Sequence, residues 1–291
     1  MIDVIKESVL LVGDTNVGKT SMFIQMALEN PTQPFFIYDT QGKIKPAARM
    51  FGGVPSNITV AHTPDLATMQ EFANSTVYPT LKGQPEGYGV VCIDMAGEVW
   101  TQAQEYLADL RAPGEEGLGN NLNAQREALV KAGKDAAAGG FDGFQGHWQT
   151  IKGWYNHIVR QALFQYNSHV VITAGARDLR QLENQGRVNP KADQAEYLQV
   201  WNTFGSGPDS EKNLTFWVNT AMGIERTPDI VPNFNLSILK DMSRTPVPFQ
   251  QVLRKKMSKD DSGYFNVWHE YVDVTPGVDT YKLENPHDEK V

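Results

Sequence analysis

Residues 8–20 read SVLLVGDTNVGKT, a short apolar run followed by a glycine-rich loop that ends in Lys19 and Thr20. The loop fits the pattern G-x-x-x-x-G-K-[ST] at every fixed position, beginning at Gly13. Apolar residues at helical spacing follow over 22–27, so the pattern lies between a predicted strand and a predicted helix. This strand–loop–helix unit favours an α/β fold with the loop at the carboxyl end of the first strand.

The rest of the chain continues to alternate strands and helices. Further strands are predicted at 35–39, 54–61, 87–94, 170–173, 214–219 and 235–239. Helices are predicted at 65–75, 97–110, 147–166 and near 192–203. The apolar run VVCI at 90–93 is typical of a strand covered on both faces. Together these elements predict an α/β fold with a mostly parallel sheet and helices on both faces.

The length of 291 residues indicates one large domain with additions. Glycine and asparagine are concentrated at 113–121 and glycine again at 139–146, which marks an insertion. We therefore predict a core over 1–250, with an inserted excursion near 111–147, and a C-terminal extension over 251–291. A single cysteine, Cys92, excludes an intrachain disulfide framework and a thiolate zinc site.

Charge and hydropathy narrow the range of partners. The net charge of -8 argues against a broad, non-specific grip on nucleic-acid phosphates. A basic cluster, Arg254, Lys255, Lys256 and Lys259, is expected on a helix face, either solvated or in contact with phosphate. No apolar run approaches the roughly 20 residues of a membrane span, and the first residues do not read as a signal peptide. We expect a cytoplasmic protein with no membrane partner.

The glycine-rich loop predicts a site for a nucleoside triphosphate. Its glycines allow backbone N–H groups to turn toward phosphates, and the start of the following helix adds partial positive charge. Lys19 is expected to reach the terminal phosphates, where it also assists catalysis. The residues predicted to hold the triphosphate are Gly13, Asp14, Thr15, Asn16, Val17, Gly18, Lys19, Thr20 and Ser21.

Further site residues are predicted at the ends of other strands. Thr20 and Asp94 are the candidate ligands of Mg²⁺, because an acidic residue at that strand end faces the metal across the phosphates. Hydrolysis also needs a group that orients or deprotonates water. Glu98 is the first candidate for this role and Gln41 the second, although either residue can equally be an ordinary loop residue. Thr173 is either a polar sensor of phosphate or water, or a strand-end threonine.

With these residues identified, the chain resembles the RecA-like P-loop ATPases, in particular nucleotide-binding proteins of bacteriophages related to single-strand-annealing ATPases. The resemblance covers roughly 8–249 and rests on four segments, namely 13–20, 36–41, the strand ending at Asp94, and 238–244. In this family the second-strand motif ends in a catalytic glutamate, where this chain has Gln41. The resemblance therefore implies slow or assembly-dependent hydrolysis of MgATP, with Glu98 as the substitute.

The same resemblance implies partners. The family's late strand carries basic residues that touch the nucleotide of a neighbouring subunit, and Lys240 and Arg244 stand at or near those places. This implies a homo-oligomer. It also implies a role on DNA, single-stranded by family analogy, in phage-type recombination, replication or packaging, within the host cytoplasm if the chain is phage-encoded.

Two alternatives remain open at this point. Residues 10–21 and the D-x-x-G at 94–97 are also similar to a Ras-like GTPase switch. The guanine-reading N-K-x-D of that family has no match, since 175–178 keeps only the Asp, and this favours ATP over GTP. The third hypothesis is a module that does not hydrolyse nucleotide and in which nucleotide only orders an assembly, as Gln41 suggests.

Overall fold

The structure is a computed structural model. It describes residues 6–62, 65–111, 148–179, 201, 204–211, 213–227, 233–241, 253–257, 259 and 265–268. The predicted insertion from residue 112 onward, most of the predicted helix near 192–203, and Arg244 lie outside the described residues.

A nine-stranded sheet forms the centre of the described protein. Its strands are β1 (Ser8–Gly13), β2 (Phe35–Asp39), β3 (Ile58–Ala61), β4 (Val90–Asp94), β5 (His169–Asp178), β6 (Ser206–Asp209), β7 (Thr220–Arg226), β8 (Phe234–Asp241) and β9 (Leu253–Lys256).

The strands β3-β2-β4-β5-β1-β7 lie side by side in this order, and all of these neighbours are parallel. The remaining strands are antiparallel additions, since β8 pairs with β7, β9 with β8, and β6 with the last residues of β5. The predicted mostly parallel sheet is confirmed. Because β1 lies between β5 and β7, the loop that follows it leaves the sheet near its middle.

Helices connect the strands. Those of the described residues are α1 (Lys19–Glu29), α2 (Ile44–Ala48), α3 (Leu66–Phe72), α4 (Tyr78–Leu81), α5 (Ala96–Arg111), α6 (Trp148–Phe164) and α7 (Leu214–Trp217). A 3-10 turn at Arg49–Phe51 follows α2, and a π-helical turn at Ala73–Val77 joins α3 to α4. In the described part of the chain, no helix combines the length and the apolar character that crossing a bilayer requires.

Each face of the sheet carries its own apolar core. One cluster joins the sheet to α3, α5 and α6, and includes Val99 and Tyr155. The other joins it to α1 and α2, and it also contains Trp268, which is fully buried. The prediction of helices on both faces is therefore confirmed. Neighbouring residues of a strand belong to different clusters, because successive side chains of a strand point to opposite faces. Leu10 is in the first cluster and Leu11 in the second.

One predicted strand is wrong. Residues 214–217, predicted as the start of a strand at 214–219, form helix α7, and the strand β7 begins only at Thr220. A four-residue segment, here Leu-Thr-Phe-Trp, is too short for its spacing to distinguish a helix from a strand. β7 itself was not predicted because Ala221 and Gly223 have low strand propensity, and its burial between β1 and β8 overrides that propensity.

Other predicted elements have different bounds in the structure, for reasons that lie in the local sequence. The predicted strand 54–61 forms only at Ile58–Ala61, after a turn that contains Pro55, which has no backbone N–H for the ladder. The predicted helix 65–75 starts as expected, because the Asp65 side chain accepts a hydrogen bond from Thr68 N at 2.8 Å. It continues beyond its predicted end, through the π-helical turn to Leu81. Residues 253–256, expected on a helix, form β9.

Lys6 connects the start of the chain to the end of α6. Its Nζ donates hydrogen bonds to Leu163 O at 2.5 Å and Tyr166 O at 2.6 Å, which are carbonyls at the carboxyl end of that helix. Burial lowers the pKa of Lys6 to about 8, and the nearby Glu86 carboxylate opposes this shift. The ammonium group therefore loses its proton more easily in the folded protein than in the unfolded chain.

We expect this difference to make stability depend on pH. Between the folded pKa of about 8 and the ordinary value of 10.5, the unfolded chain binds more protons, so the Lys6 contribution to the free energy of unfolding rises with pH. The stability of the wild type relative to Lys6→Met should therefore increase from pH 7 to pH 10, as measured by urea denaturation. Lys45→Met, at an exposed lysine, is the control and should show no such trend. A flat difference for Lys6→Met would contradict the assignment.

Candidate functional site

The loop between β1 and α1 has a backbone that depends on residues with positive φ. Gly18 lies in the left-handed region at φ 92°, immediately before α1, and Asn16 lies there at φ 63°. A side chain at residue 18 would be strained whatever space surrounds it. Gly18 O accepts the hydrogen bond from Met22 N at 3.1 Å, which closes the first turn of the helix. The loop thereby directs the amino end of α1 toward the site.

Gly13 is required for a different reason, namely close packing. A Cβ atom at this position would lie 2.5 Å from Ile224 Cγ2 and 2.7 Å from Ile224 O on the neighbouring strand β7. Either contact is too short for carbon. Glycine therefore lets the chain leave β1 while it stays packed against β7, and the loop starts from a fixed position.

Lys19 folds back over the loop. It is buried, and its Nζ donates to Gly13 O at 2.7 Å and Asp14 O at 2.6 Å. Burial lowers the pKa of Lys19 to about 8, against the attraction of Asp94. The ammonium group is thus held by neutral carbonyls, in a position where an anion would be a stronger partner.

Asp94 connects β4 to β5 and to the start of α1 at the carboxyl edge of the sheet. It ends β4, is almost fully buried, and accepts hydrogen bonds from Thr20 Oγ1 at 2.7 Å and Thr173 Oγ1 at 2.5 Å. Burial raises the pKa of Asp94, while these two hydrogen bonds oppose the shift. Thr20 comes from the first turn of α1 and Thr173 from β5, so the carboxylate joins the loop helix to the centre of the sheet.

Thr40 fixes the position of Asp94 from the other side. Its N and its Oγ1 each donate to Asp94 O at 2.8 Å, and Oγ1 accepts from Met95 N at 2.9 Å. The peptide bond between Asp94 and Met95 is cis. Thr40 follows β2, the neighbour of β4, so this contact aligns the two strand ends. Thr40 was not among the site residues predicted from the sequence, although its place directly after a parallel strand is the signal that could have found it.

Gln41 and Glu98 form a second polar pair at the same edge. Gln41 Nε2 donates to Glu98 Oε1 at 3.1 Å. Gln41 lies just after β2, and Glu98 lies in the first turn of α5, where its N donates to Met95 O at 3.1 Å. Gln41 and Glu98, which were predicted as alternative residues for orienting or deprotonating water, are therefore in direct contact.

Asp39 is another buried carboxylate that the sequence analysis did not single out. It accepts from Lys43 N at 2.8 Å and Ile44 N at 3.0 Å, and His62 Nδ1 lies 3.0 Å from its Oδ2. These partners place it at the start of α2, where a carboxylate satisfies free backbone N–H groups. A structural role in holding the β2–α2 turn accounts for these contacts.

The structure brings most of the predicted site residues together and separates one. Thr20 and Thr173 both contact Asp94, and Lys19 precedes Thr20 at the start of α1. Lys240 lies at the opposite end of the sheet, opposite Ala221 near the start of β7. There its Nζ donates to Thr215 O at 3.0 Å and Val218 O at 2.5 Å. The contact that the resemblance implies for Lys240, with the nucleotide of another subunit, stays a prediction.

The residues present fit a magnesium ion bound together with phosphate. Thr20 offers a hydroxyl oxygen and Asp94 a carboxylate oxygen, and Mg²⁺ in nucleotide sites takes one or two such protein ligands together with phosphate oxygens and water. The Asp94 carboxylate is buried, and its side-chain hydrogen bonds come from two neutral hydroxyls. A cation bound there would stabilise the negative charge of this carboxylate. These two oxygens would hold the metal.

No family model and no curated protein match the sequence. Among solved structures, the chain is similar to a KaiC-like protein from the hyperthermophilic archaeon Pyrococcus horikoshii OT3, with 12% identity, a TM-score of 0.43 and coverage of 88% of this chain and 87% of that chain. It is also similar to the RadB recombinase, with 14% identity, a TM-score of 0.42 and coverage of 88% and 89%, respectively.

The contacts of Asp94 lead to a stability prediction. Thr173→Val keeps the shape of the side chain and removes the hydroxyl that donates to the buried carboxylate. We expect the free energy of unfolding to fall by about 1.5–3 kcal/mol at pH 7, the usual effect of losing a hydrogen bond to a charged group. Urea denaturation without nucleotide measures the change. Thr173→Ser keeps the donor and serves as the control, and equal losses in both variants would show that the hydrogen bond is not the cause.

Proposed function

We propose that this protein is a RecA-like P-loop ATPase that binds MgATP and hydrolyses it slowly or within an assembly. The observation that carries this proposal is the contact between Thr20 and Asp94 at 2.7 Å, beside a buried Lys19 at the start of α1. A hydroxyl, a carboxylate and an ammonium group thus meet at the carboxyl end of parallel strands, where α/β proteins bind their ligands.

Binding of the triphosphate follows from the loop. Its backbone N–H groups and the amino end of α1 stabilise negative charge. Lys19 exchanges the carbonyls of Gly13 and Asp14 for phosphate oxygens, and it gains a charged partner by doing so. Magnesium, when bound, neutralises charge on the phosphates as they separate. Thr20 and Asp94 would hold the metal beside the loop.

Activation of water is assigned to Glu98. A carboxylate can accept a proton from water, whereas the amide of Gln41 cannot, so the two residues take different roles. Gln41 donates to Glu98 Oε1, which leaves the other carboxylate oxygen of Glu98 for water. In this proposal Gln41 positions the base, and the glutamate that the RecA-like family has after the second strand is replaced by one that follows β4.

ATP is proposed over GTP because of the segment 175–178. In place of a guanine-reading loop, these residues pair with β6, with Gly175 opposite Asp209 and Asp178 opposite Ser206. The Asp that remains of the N-K-x-D pattern therefore lies in a strand. The GTPase switch remains one alternative to this proposal. An assembly module that binds nucleotide without hydrolysing it is the second alternative.

The remaining parts of the proposal rest on the resemblance. Action on single-stranded DNA, a phage origin and contact of Lys240 or Arg244 with a neighbouring subunit are expected from the family. Lys240 has its own carbonyl partners at the sheet edge away from the loop, so it does not serve the site of its own chain. Contact with a neighbour would require it to leave Thr215 O and Val218 O.

Lys19→Ala tests the phosphate site. The variant removes a charge-assisted contact, and we expect the affinity for MgATP to fall by at least about 1.5–3 kcal/mol, or roughly tenfold to more than 100-fold. Isothermal titration calorimetry measures it, with Lys45→Ala at an exposed lysine as the control. Unchanged affinity in Lys19→Ala would contradict the site. The same titrations with GTP should show no preference for guanine, and a strong preference would favour the GTPase alternative.

Glu98→Gln tests the assignment of the base. The variant keeps the size of the side chain and removes its ability to accept a proton, so we expect turnover to fall by about 100-fold or more with MgATP affinity retained. Glu71→Gln, at an exposed glutamate of α3, is the control. Steady-state phosphate release measures turnover, at protein concentrations that allow assembly.

The outcomes of that assay separate the hypotheses. Wild-type turnover in Glu98→Gln would remove Glu98 as the base. No turnover by the wild type at any concentration would favour the assembly module. The assay is run with and without single-stranded DNA, where faster turnover supports the DNA role and equal rates argue against it.

A further inference from the structure

We infer that an apolar cavity beside the loop binds the purine base of the nucleotide, and that the segment 265–268 near the C-terminus completes it. The cavity has a volume of about 300 Å³. One side is formed by loop residues 16–18 and Ser21, and the other by Met50, Phe51, Phe234 and Phe265. The inference rests on the proposed function, because it concerns the base of the same nucleotide.

The position of the cavity fits the direction in which a nucleotide would lie. Thr20, in the first turn of α1, points to Asp94, whereas the next residue, Ser21, lines the cavity. Successive residues of a helix point in different directions, about 100° apart. A triphosphate that starts at Asp94 and Lys19 would therefore pass over the amino end of α1 and bring its sugar and base to the cavity.

The chemistry of the lining suits a flat aromatic ring. Phe234 and Phe265 meet edge to face, with ring centroids 4.8 Å apart at 81°, so one ring supports the other. Met50, which is 52% exposed, adds a polarisable side chain at the opening. The volume is at the lower end of the range for small-molecule sites, which suits a base more than a whole nucleotide. Apolar and stacking contacts hold a base by its faces.

Phe265 is held in place by contacts with the loop helix. Its backbone O accepts from Gln25 Nε2 at 3.3 Å, and Asn266 Nδ2 donates to Glu29 Oε1 at 2.7 Å. Trp268 is fully buried in the core that α1 shares. The residues that line the cavity from the C-terminal side are thus fixed to the same helix whose amino end faces the phosphates, so base and phosphate sites keep a constant spacing.

The test compares ATP with ribose 5-triphosphate, which lacks only the base, in the presence of Mg²⁺. We expect the wild type to bind ATP about tenfold more tightly, in line with the effect of one stacked base. Phe265→Ala and Phe51→Ala should each lose a large part of this difference, while their affinity for ribose 5-triphosphate stays that of the wild type. Phe216→Ala, at an exposed phenylalanine of α7, is the control and should behave as the wild type.

The affinity for ribose 5-triphosphate shows in each variant whether the phosphate site is intact. Equal binding of the two ligands by the wild type would overturn the inference and leave the proposed function standing. Variants that weaken both ligands to the same degree would also overturn it, because the aromatic residues would then act through the fold. If the wild type binds neither ligand, the proposed function fails and the inference fails with it.

Discussion

The carboxylate of Asp94, buried at the end of β4, is the group on which the site depends. Two hydroxyls donate to it, from Thr20 at the start of α1 and from Thr173 on β5, and Thr40 after β2 holds its backbone carbonyl. An ionised carboxylate out of water is unfavourable unless donors or cations surround it, and burial raises its pKa accordingly. The strand order brings these donors to one place, and their hydrogen bonds make the buried charge tolerable.

The sequence predicted the parts of the fold in which local pattern and tertiary structure agree. The strands β1, β2 and β4 are continuous apolar runs covered on both faces, and the first of them leads into a loop whose spacing is specific. The strand β7 could not be predicted in this way, since Ala221 and Gly223 do not favour a strand and only their neighbours make them one. The predicted strand at 214–219 was wrong because a segment as short as Leu-Thr-Phe-Trp at 214–217 suits either structure.

The site was predictable to the extent that it lies at strand ends. Lys19, Thr20 and Asp94 follow from the loop motif and from the rule that ligands bind at the carboxyl edge of parallel strands. Thr173 was predicted at the end of a strand at 170–173, but β5 continues to Asp178, so this threonine contacts Asp94 from inside the strand. The pairing of Gln41 with Glu98 was not predictable, because it depends on β2 and β4 being neighbours, which the order along the chain does not reveal. The contact between Phe234 of β8 and Phe265 was not predictable either, because the order of residues along the chain does not show that these two segments are neighbours. The sequence therefore gives no sign of the cavity that both residues line.

The placement of β1 between two parallel neighbours has a mechanical consequence. Every residue from Val9 to Gly13 is in register with both β5 and β7, so the loop follows a strand that is paired along both sides. A strand paired on both sides cannot slide by one residue without turning its side chains to the wrong faces. Any displacement of the sheet would then fall on its outer antiparallel strands β8 and β9, whereas the strand that carries the loop stays in register.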